Sequence, residues 1–337
     1  MKARAEIVRL VNAPCRLAGC RAFPLVLVVL GILSPATWGA DEEPVRTRLK
    51  IGFNQSNFVG LSRNDAAAAI KAFTESAAKR RGYAVQTQIE VYETAAEFSK
   101  GIKEQGVQLA IIDSWDYLSL DVRAVLEPMF VFVEPLSPLE SYLLLTPRDK
   151  GALSLADLRG KEVVLLQNIN ANLSQYWLET LLLEQGLGAM PAFFGKVEVV
   201  PKPSAAVLPV FFGQRTACVV DQSAFDLMVE LNPQVGRRLQ AIATSKPYLD
   251  TLLCFSREGW QTEQGKKDMA AGLAELHTEP GGQQILTVFK VSKLEPFKDE
   301  FLDSVKELKA THDRLKAAFD RGEPVKSPAS KDDGGAR

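Results

Sequence analysis

Four stretches decide the fold: LKIGFNQSN at residues 49–57, SRNDAAAAIKAF at 62–73, VQTQIEVY at 85–92 and VQLAIIDSWDY at 107–117. Leu49 to Phe53 is a short apolar run that ends in the polar loop Asn54-Gln55-Ser56-Asn57. Ser62-Arg63-Asn64-Asp65 has the capping-box spacing, and Ile70, Phe73 and Ala77 continue it as a stripe at helical spacing until Gly82 stops the run. Val85 to Tyr92 alternates as a strand does, Ala95 to Gln105 reads as a helix, and Val107 to Ile112 is a buried-strand run. The order is βαβαβ, which implies a largely parallel sheet with helices on both faces.

The pattern starts afresh near Leu155, with strands over 163–166, 197–200, 217–220 and 239–243 and helices over 174–185, 204–212 and 225–232. Between the two blocks, Met129 to Thr146 places apolar stretches on both sides of Pro135-Leu136-Ser137-Pro138, so a strand is expected to pass from one lobe to the other. Leu252 to Ser256 is expected to return to the first sheet. The predicted fold class is α/β, two doubly wound, mostly parallel-sheet lobes joined by two hinge strands, with C-terminal helical runs over 262–277 and 297–319. Lobe 1 is expected over 48–138 plus 251–321 and lobe 2 over 139–250, with 322–337 a disordered tail. The stripe of Asp303 to Phe319 predicts an amphipathic helix packed on the first lobe. Two crossings make a hinge, and a hinge makes a cleft that can close.

At 337 residues, 46% apolar and 24% charged, the chain has the size of about two domains and the composition of a soluble globular protein. Lys2, Arg4, Arg9, Arg16 and Arg21 precede an apolar stretch over 22–33 and then small residues, the three parts of a secretory signal over 1–39, cut after Gly39. Leu17-Ala18-Gly19-Cys20 spells a lipobox, but it stands before the apolar core instead of after it, so lipidation is not expected. Removing 1–39 takes five Lys/Arg from 40 and one acidic residue from 41, leaving a net charge of −5 and no overall attraction for nucleic acid. Lys79-Arg80-Arg81 and Arg237-Arg238 read as solvated helix ends. Cys218 and Cys254 fit no zinc spacing; they read as buried small hydrophobes or, in an oxidising compartment, as a disulfide.

The chain resembles a known family at several of these places. The Ile51-Gly52 run, the strand ending in Asp113-Ser114-Trp115-Asp116-Tyr117 and above all Ser154-Leu155-Ala156-Asp157-Leu158-Arg159-Gly160-Lys161-Glu162-Val163 are similar to the phosphate/phosphite/phosphonate (PhnD-like) branch of ABC-transporter substrate-binding proteins. Cys218-Val219-Val220-Asp221-Gln222-Ser223 and Ala243-Thr244-Ser245 follow in that branch's order, and the resemblance spans roughly 48 to 300. It implies a type II periplasmic-binding fold, a ligand between the lobes and delivery to a membrane permease. The family's phosphoryl-holding turn is rich in Ser and Thr and contains glycine; here Gln167-Asn168-Ile169-Asn170-Ala171-Asn172-Leu173-Ser174 is rich in amides instead.

In open α/β sheets ligands bind beyond the carboxyl ends of the strands, where helix N-termini offer unpaired N–H groups to an anion. That rule selects four loops: Asn54 to Phe58, Asp113 to Tyr117, Asn168 to Ser174, and Asp221 to Ser223. The candidate ligand-binding residues are therefore Asn54, Gln55, Ser56, Asn57, Asp113, Ser114, Trp115, Asn168, Asn170, Asn172, Ser174, Asp221 and Ser223, with Tyr142 and Tyr248 as aromatic walls. The small polar residues can equally cap their helices and the aromatics can be ordinary packing. Asp113 and Asp221 either cap or recognise an amino group, and near an anion they favour a zwitterionic ligand.

Catalytic signals are thin. His277 and His312 belong to no HExxH pattern, no G-x-S-x-G elbow occurs, the Gly259-to-Lys266 stretch has the wrong spacing for a phosphate loop, and Gly186-Leu187-Gly188 lacks the third glycine of a dinucleotide fingerprint. The expectation is a monomeric, exported solute-binding protein without cofactor, metal or nucleic-acid partner, which captures a small anionic or zwitterionic ligand for an ABC permease. Two rivals stand beside it: a ligand sensor feeding a membrane kinase or chemoreceptor, and a periplasmic enzyme using Asp113 or Asp221 as acid/base.

Overall fold

A computed structural model of the chain describes residues 43–54, 62–134, 136–149, 152–166 and 173–323. The expected signal sequence, the residues Gln55, Ser56, Asn57, Asn168, Asn170 and Asn172, and tail residues 324–337 lie outside the described residues.

The first block folds as β1 (Val45–Asn54), α1 (Arg63–Arg80), β2 (Tyr83–Tyr92), α2 (Ala95–Glu104), β3 (Leu109–Asp113), α3 (Ser114–Ser119) and β4 (Leu126–Val133). A short strand β5 (Leu139–Glu140) leads into the second block: β6 (Tyr142–Pro147), β7 (Glu162–Leu166), α4 (Leu173–Glu184), α5 (Met190–Phe193), β8 (Lys196–Val200), α6 (Pro203–Phe211), β9 (Ala217–Asp221), α7 (Gln222–Leu231), α8 (Pro233–Arg238) and β10 (Leu239–Thr244). The chain returns through β11 (Tyr248–Leu249) and β12 (Thr251–Ser256), and ends in α9 (Glu263–Ala274), α10 (Pro280–Val288), β13 (Lys293–Pro296) and α11 (Asp303–Asp320).

Two sheets result, ordered β13-β4-β12-β3-β1-β2 and β10-β6-β9-β7-β8. Each contains the parallel unit that the sequence pattern predicts: β1 lies between β2 and β3, and β7 between β8 and β9. The remaining pairs are antiparallel, so the sheets are mixed and not mostly parallel. The cause is the crossing. β12 enters the first sheet opposite Asp113, where β3 ends, and β6 enters the second opposite Asp221, where β9 ends, so each must run against its neighbour. The two crossing segments pair with each other as a two-residue antiparallel ribbon, Tyr248 with Glu140 and Leu249 with Leu139.

The local signals behave as their chemistry requires. Ser62 caps α1 by accepting from the Asp65 N–H, and Thr94 and Glu97 form a reciprocal capping box at α2. Lys79 and Arg80 close α1 and Arg237 and Arg238 close α8, where cations suit the negative end of the helix. Cys218 and Cys254 are free and buried in different sheets, and burial pushes both thiols up.

The helix over Asp303–Asp320, expected on the first lobe, packs instead mainly along α4. Its Val305 and Leu308 join Leu178 and Leu182 in one core cluster, and its His312 Nε2 lies 3.2 Å from Glu179 Oε2. The reason is in α4, LSQYWLETLLLE, which buries Leu173, Trp177, Leu178, Leu182 and Leu183. A helix apolar on more than one side needs a cover on each.

Gly101 sits in α2 against the Tyr92 ring, which meets Phe98 edge-to-face at 5.6 Å; a Cβ at Gly101 would fall 2.3 Å from ring atoms. Gly101→Ala gains helix propensity of up to about 1 kcal/mol, yet the overlap costs about 1–3 kcal/mol. Urea unfolding is expected to show a net loss of stability, and a variant as stable as the parent would show that this contact is not tight.

Candidate ligand-binding cleft

The antiparallel entry of β6 and β12 sets the geometry of the site. Both crossings occur at the carboxyl ends of the parallel strands, so the starts of α3 and α7 meet the hinge backbone. Ser114 N–H donates to the Asp250 carbonyl at 2.8 Å, and Ser114 Oγ–H to the Leu249 carbonyl at 2.5 Å. Gln222 N–H donates to the Ser141 carbonyl at 2.8 Å. The next two amides of α7 are held by carboxylates, Ser223 N–H by Glu140 at 3.4 Å and Ala224 N–H by Asp221 at 2.6 Å, while Ser223 Oγ–H donates to Asp221 at 3.0 Å.

This arrangement separates the four predicted loops by charge. The positive end of α7 is already filled by the carboxylates of the chain itself, so it is not an anion site. The first amide of α3, a helix of six residues, is occupied by the hinge. The starts of α1 and α4 follow residues 55–61 and 167–172, stretches whose sequence contains no charged side chain. At their edges stand Asn54, buried and donating from Nδ2 to Asp116 Oδ2 at 2.9 Å, and Ser174, whose buried Oγ has no hydrogen-bond partner among the described residues.

The aromatic candidates are buried. Tyr142 is 1% exposed and donates from its hydroxyl to Asp250 Oδ1 at 2.5 Å, and its ring lies 6.2 Å from Tyr248. Trp115 stacks on Tyr176 of α4 at 3.8 Å with the planes 11° apart, and His312 of α11 meets both rings edge-on at 5.3 and 5.4 Å. This cluster joins α3, after the first sheet, to α4 and α11.

Three hinge residues that sequence reasoning passed over complete the electrostatics: Glu134, Glu140 and Asp250. Burial raises all three carboxyls above their usual range, Glu134 to about 7, with Asp221 and Glu140 adding repulsion and Lys290 opposing it. Asp250 rises well above its ordinary value in spite of the hydrogen bond from Tyr142, because burial strips water from it and it faces Glu134, Asp221 and Asp113. Their signal in the sequence is position: Glu134 and Glu140 bracket the first crossing, and Asp250 ends the second. Among the described residues no group of His, Cys, Asp and Glu is placed to hold a metal ion.

Comparison with known proteins agrees with this architecture. A family model described as ABC transporter, phosphonate, periplasmic substrate-binding protein matches residues 61–302. No curated protein matches the chain in sequence. Among solved structures, a Xanthomonas citri protein bound to a chloride ion is similar at TM-score 0.60 and 15% identity, covering 80% of this chain and 99% of its own. The binding protein component of an ABC phosphonate transporter from Pseudomonas aeruginosa gives 0.57 and 15%, covering 82% and 89%. PhnD1 from Prochlorococcus marinus in complex with methylphosphonate gives 0.55 and 12%, covering 79% and 98%. At such identities the structures share the fold, that of type II periplasmic binding proteins. The match over 61–302 decides the family: the chain belongs to the phosphonate-type periplasmic substrate-binding proteins of ABC transporters, a family that binds and delivers solutes and is not one of enzymes.

Proposed function

We propose that this protein, exported by the signal over 1–39, captures a zwitterionic phosphonate-like ligand and hands it to a membrane permease. The reading rests on the charge balance of the cleft. The loops before α1 and α4 offer neutral amides, hydroxyls and helix-start N–H groups, the equipment for an anion. The hinge side offers carboxyls of Glu134, Glu140 and Asp221, the equipment for an ammonium. A ligand with both ends satisfies both sides, whereas a simple alkylphosphonate leaves the hinge carboxyls repelling one another.

Calorimetric titration of an aminoalkylphosphonate against the alkylphosphonate of equal chain length tests this. The amine-bearing ligand is expected to bind at least tenfold more tightly, and Glu140→Gln to weaken it by roughly tenfold to a hundredfold, the worth of a hydrogen bond to a charged group, while leaving the alkylphosphonate unchanged. Equal affinity for the two ligands would sink the zwitterion reading without touching the family assignment.

The hinge carboxyls also set a pH dependence in the absence of ligand. Glu134 is raised in the folded state, so its ionisation costs stability as pH climbs from the unfolded carboxylate range through about 7. Below that range both states are protonated and the cost vanishes. Glu134→Gln is therefore expected to melt higher than the parent at pH 8 and at the same temperature at pH 4; coincident melting at both pH values would show that Glu134 is not buried against its neighbours.

A further inference from the structure

A cavity of about 220 Å³ lies inside the first lobe, between one face of the sheet and α1, α9 and α10. Its walls are apolar: Leu49, Ile51 and Leu253 from the strands, Phe73 from α1, Met269 and Leu273 from α9. α9 buries none of its own residues, so it spans this space without closing onto the sheet. For scale, an engineered apolar cavity of about 150 Å³ stays dry and takes up benzene or xenon.

The cavity is long and polar at both ends, with Arg81, Tyr83 and Asp268 at the Val45 end. Its lining runs from Val45 to Phe53, all but the last residue of the ten-residue strand β1. At the hinge end stand Thr251, opposite Asp113, and Glu134. Thr251 is 5% exposed, and its Oγ1 has no hydrogen-bond partner among the described residues. Buried hydroxyls are normally paired, so this one marks a place where a polar group of another molecule fits.

We propose that the cavity is a second binding site, for a linear apolar molecule ending in a single hydroxyl, which donates to the Glu134 carboxyl and accepts from the Thr251 Oγ1–H. At pH 8, above the raised range of Glu134, a carboxylate head meets the negative charge of that residue and is repelled. The site lies within the first lobe and shares the Glu134 carboxyl with the proposed cleft, so its occupancy is read without cleft ligand present.

Trp260 lines the cavity and reports on it. Titration of the protein with 1-decanol is expected to give a saturable change in tryptophan fluorescence that Trp260→Phe removes, with sodium decanoate at pH 8 binding at least tenfold more weakly. Thr251→Val, which keeps the shape and deletes the hydroxyl, is expected to weaken decanol about fivefold. Ala77→Leu, which fills the cavity from α1, is expected to abolish binding while unfolding remains cooperative. The proposal is overturned by a folded protein that gives no saturable decanol signal, by a signal that survives Trp260→Phe, or by decanoate binding as tightly as decanol.

Discussion

The structure depends on one directional constraint: the two segments that cross between the sheets enter each sheet at the carboxyl end of a parallel strand. Thr251 pairs with Asp113 and Tyr142 with Asp221, so β12 and β6 run antiparallel to β3 and β9. From this follow the mixed sheets, the ribbon of Leu139–Glu140 with Tyr248–Leu249, and the contact of the hinge backbone with the first amides of α3 and α7. A crossing at the other ends of the strands would have left those helix starts open and placed the hinge far from them.

The same constraint brings carboxyls together at a cost. Glu134, Glu140, Asp221 and Asp250 come from the ends of crossing segments and of β9, and burial with repulsion from neighbouring carboxylates raises Glu134, Glu140 and Asp250. Part of the cost is offset locally, since Asp221 and Glu140 accept from the amides of α7, whose positive end favours negative charge. Asp250 is compensated differently, by the Tyr142 hydroxyl. Asp250 therefore serves the hinge itself, and the proposed ammonium site is left to Glu134 and Glu140.

Much of the fold was legible because buried strands and amphipathic helices write themselves as runs and stripes: β1, α1, β2, α2 and β3 fall within a few residues of their predicted spans. The turns of polarity at Asp113 and Asp221 likewise mark helix starts. What was not legible is partner choice. Glu134 beside Pro135 looks like any solvated turn residue, and only the pairing of distant segments puts it near Asp221 and Glu140. The stripe of α11 shows that one face is buried and is silent about what buries it. α10 and β13 escaped notice because Pro280-Gly281-Gly282 and the short Lys293–Pro296 run carry weak periodicity.

The docking of α11 bears on how the cleft can open. After β13, the last strand of the first sheet, only the short turn over Asp299–Leu302 separates the chain from α11, which lies along α4 beyond the second sheet. It is thus a third tie between lobes otherwise joined by β5 and β11. Trp115 stands in the first block and Tyr176 in the second, so separating the blocks parts that stack whichever way α11 goes, and α11 must leave either α4 or Trp115. Burial of Val305, Leu308 and Leu315 is worth about 1.5–3 kcal/mol for each side chain, whereas an aromatic pair adds about 0.5–1.5 kcal/mol beyond its area. The edge contact of His312 with Trp115 and the Lys309 ammonium 5.0 Å from that ring are the weaker hold on α11. The lower-cost separation therefore keeps α11 on α4 and draws Trp115 away from Tyr176, His312 and Lys309 together.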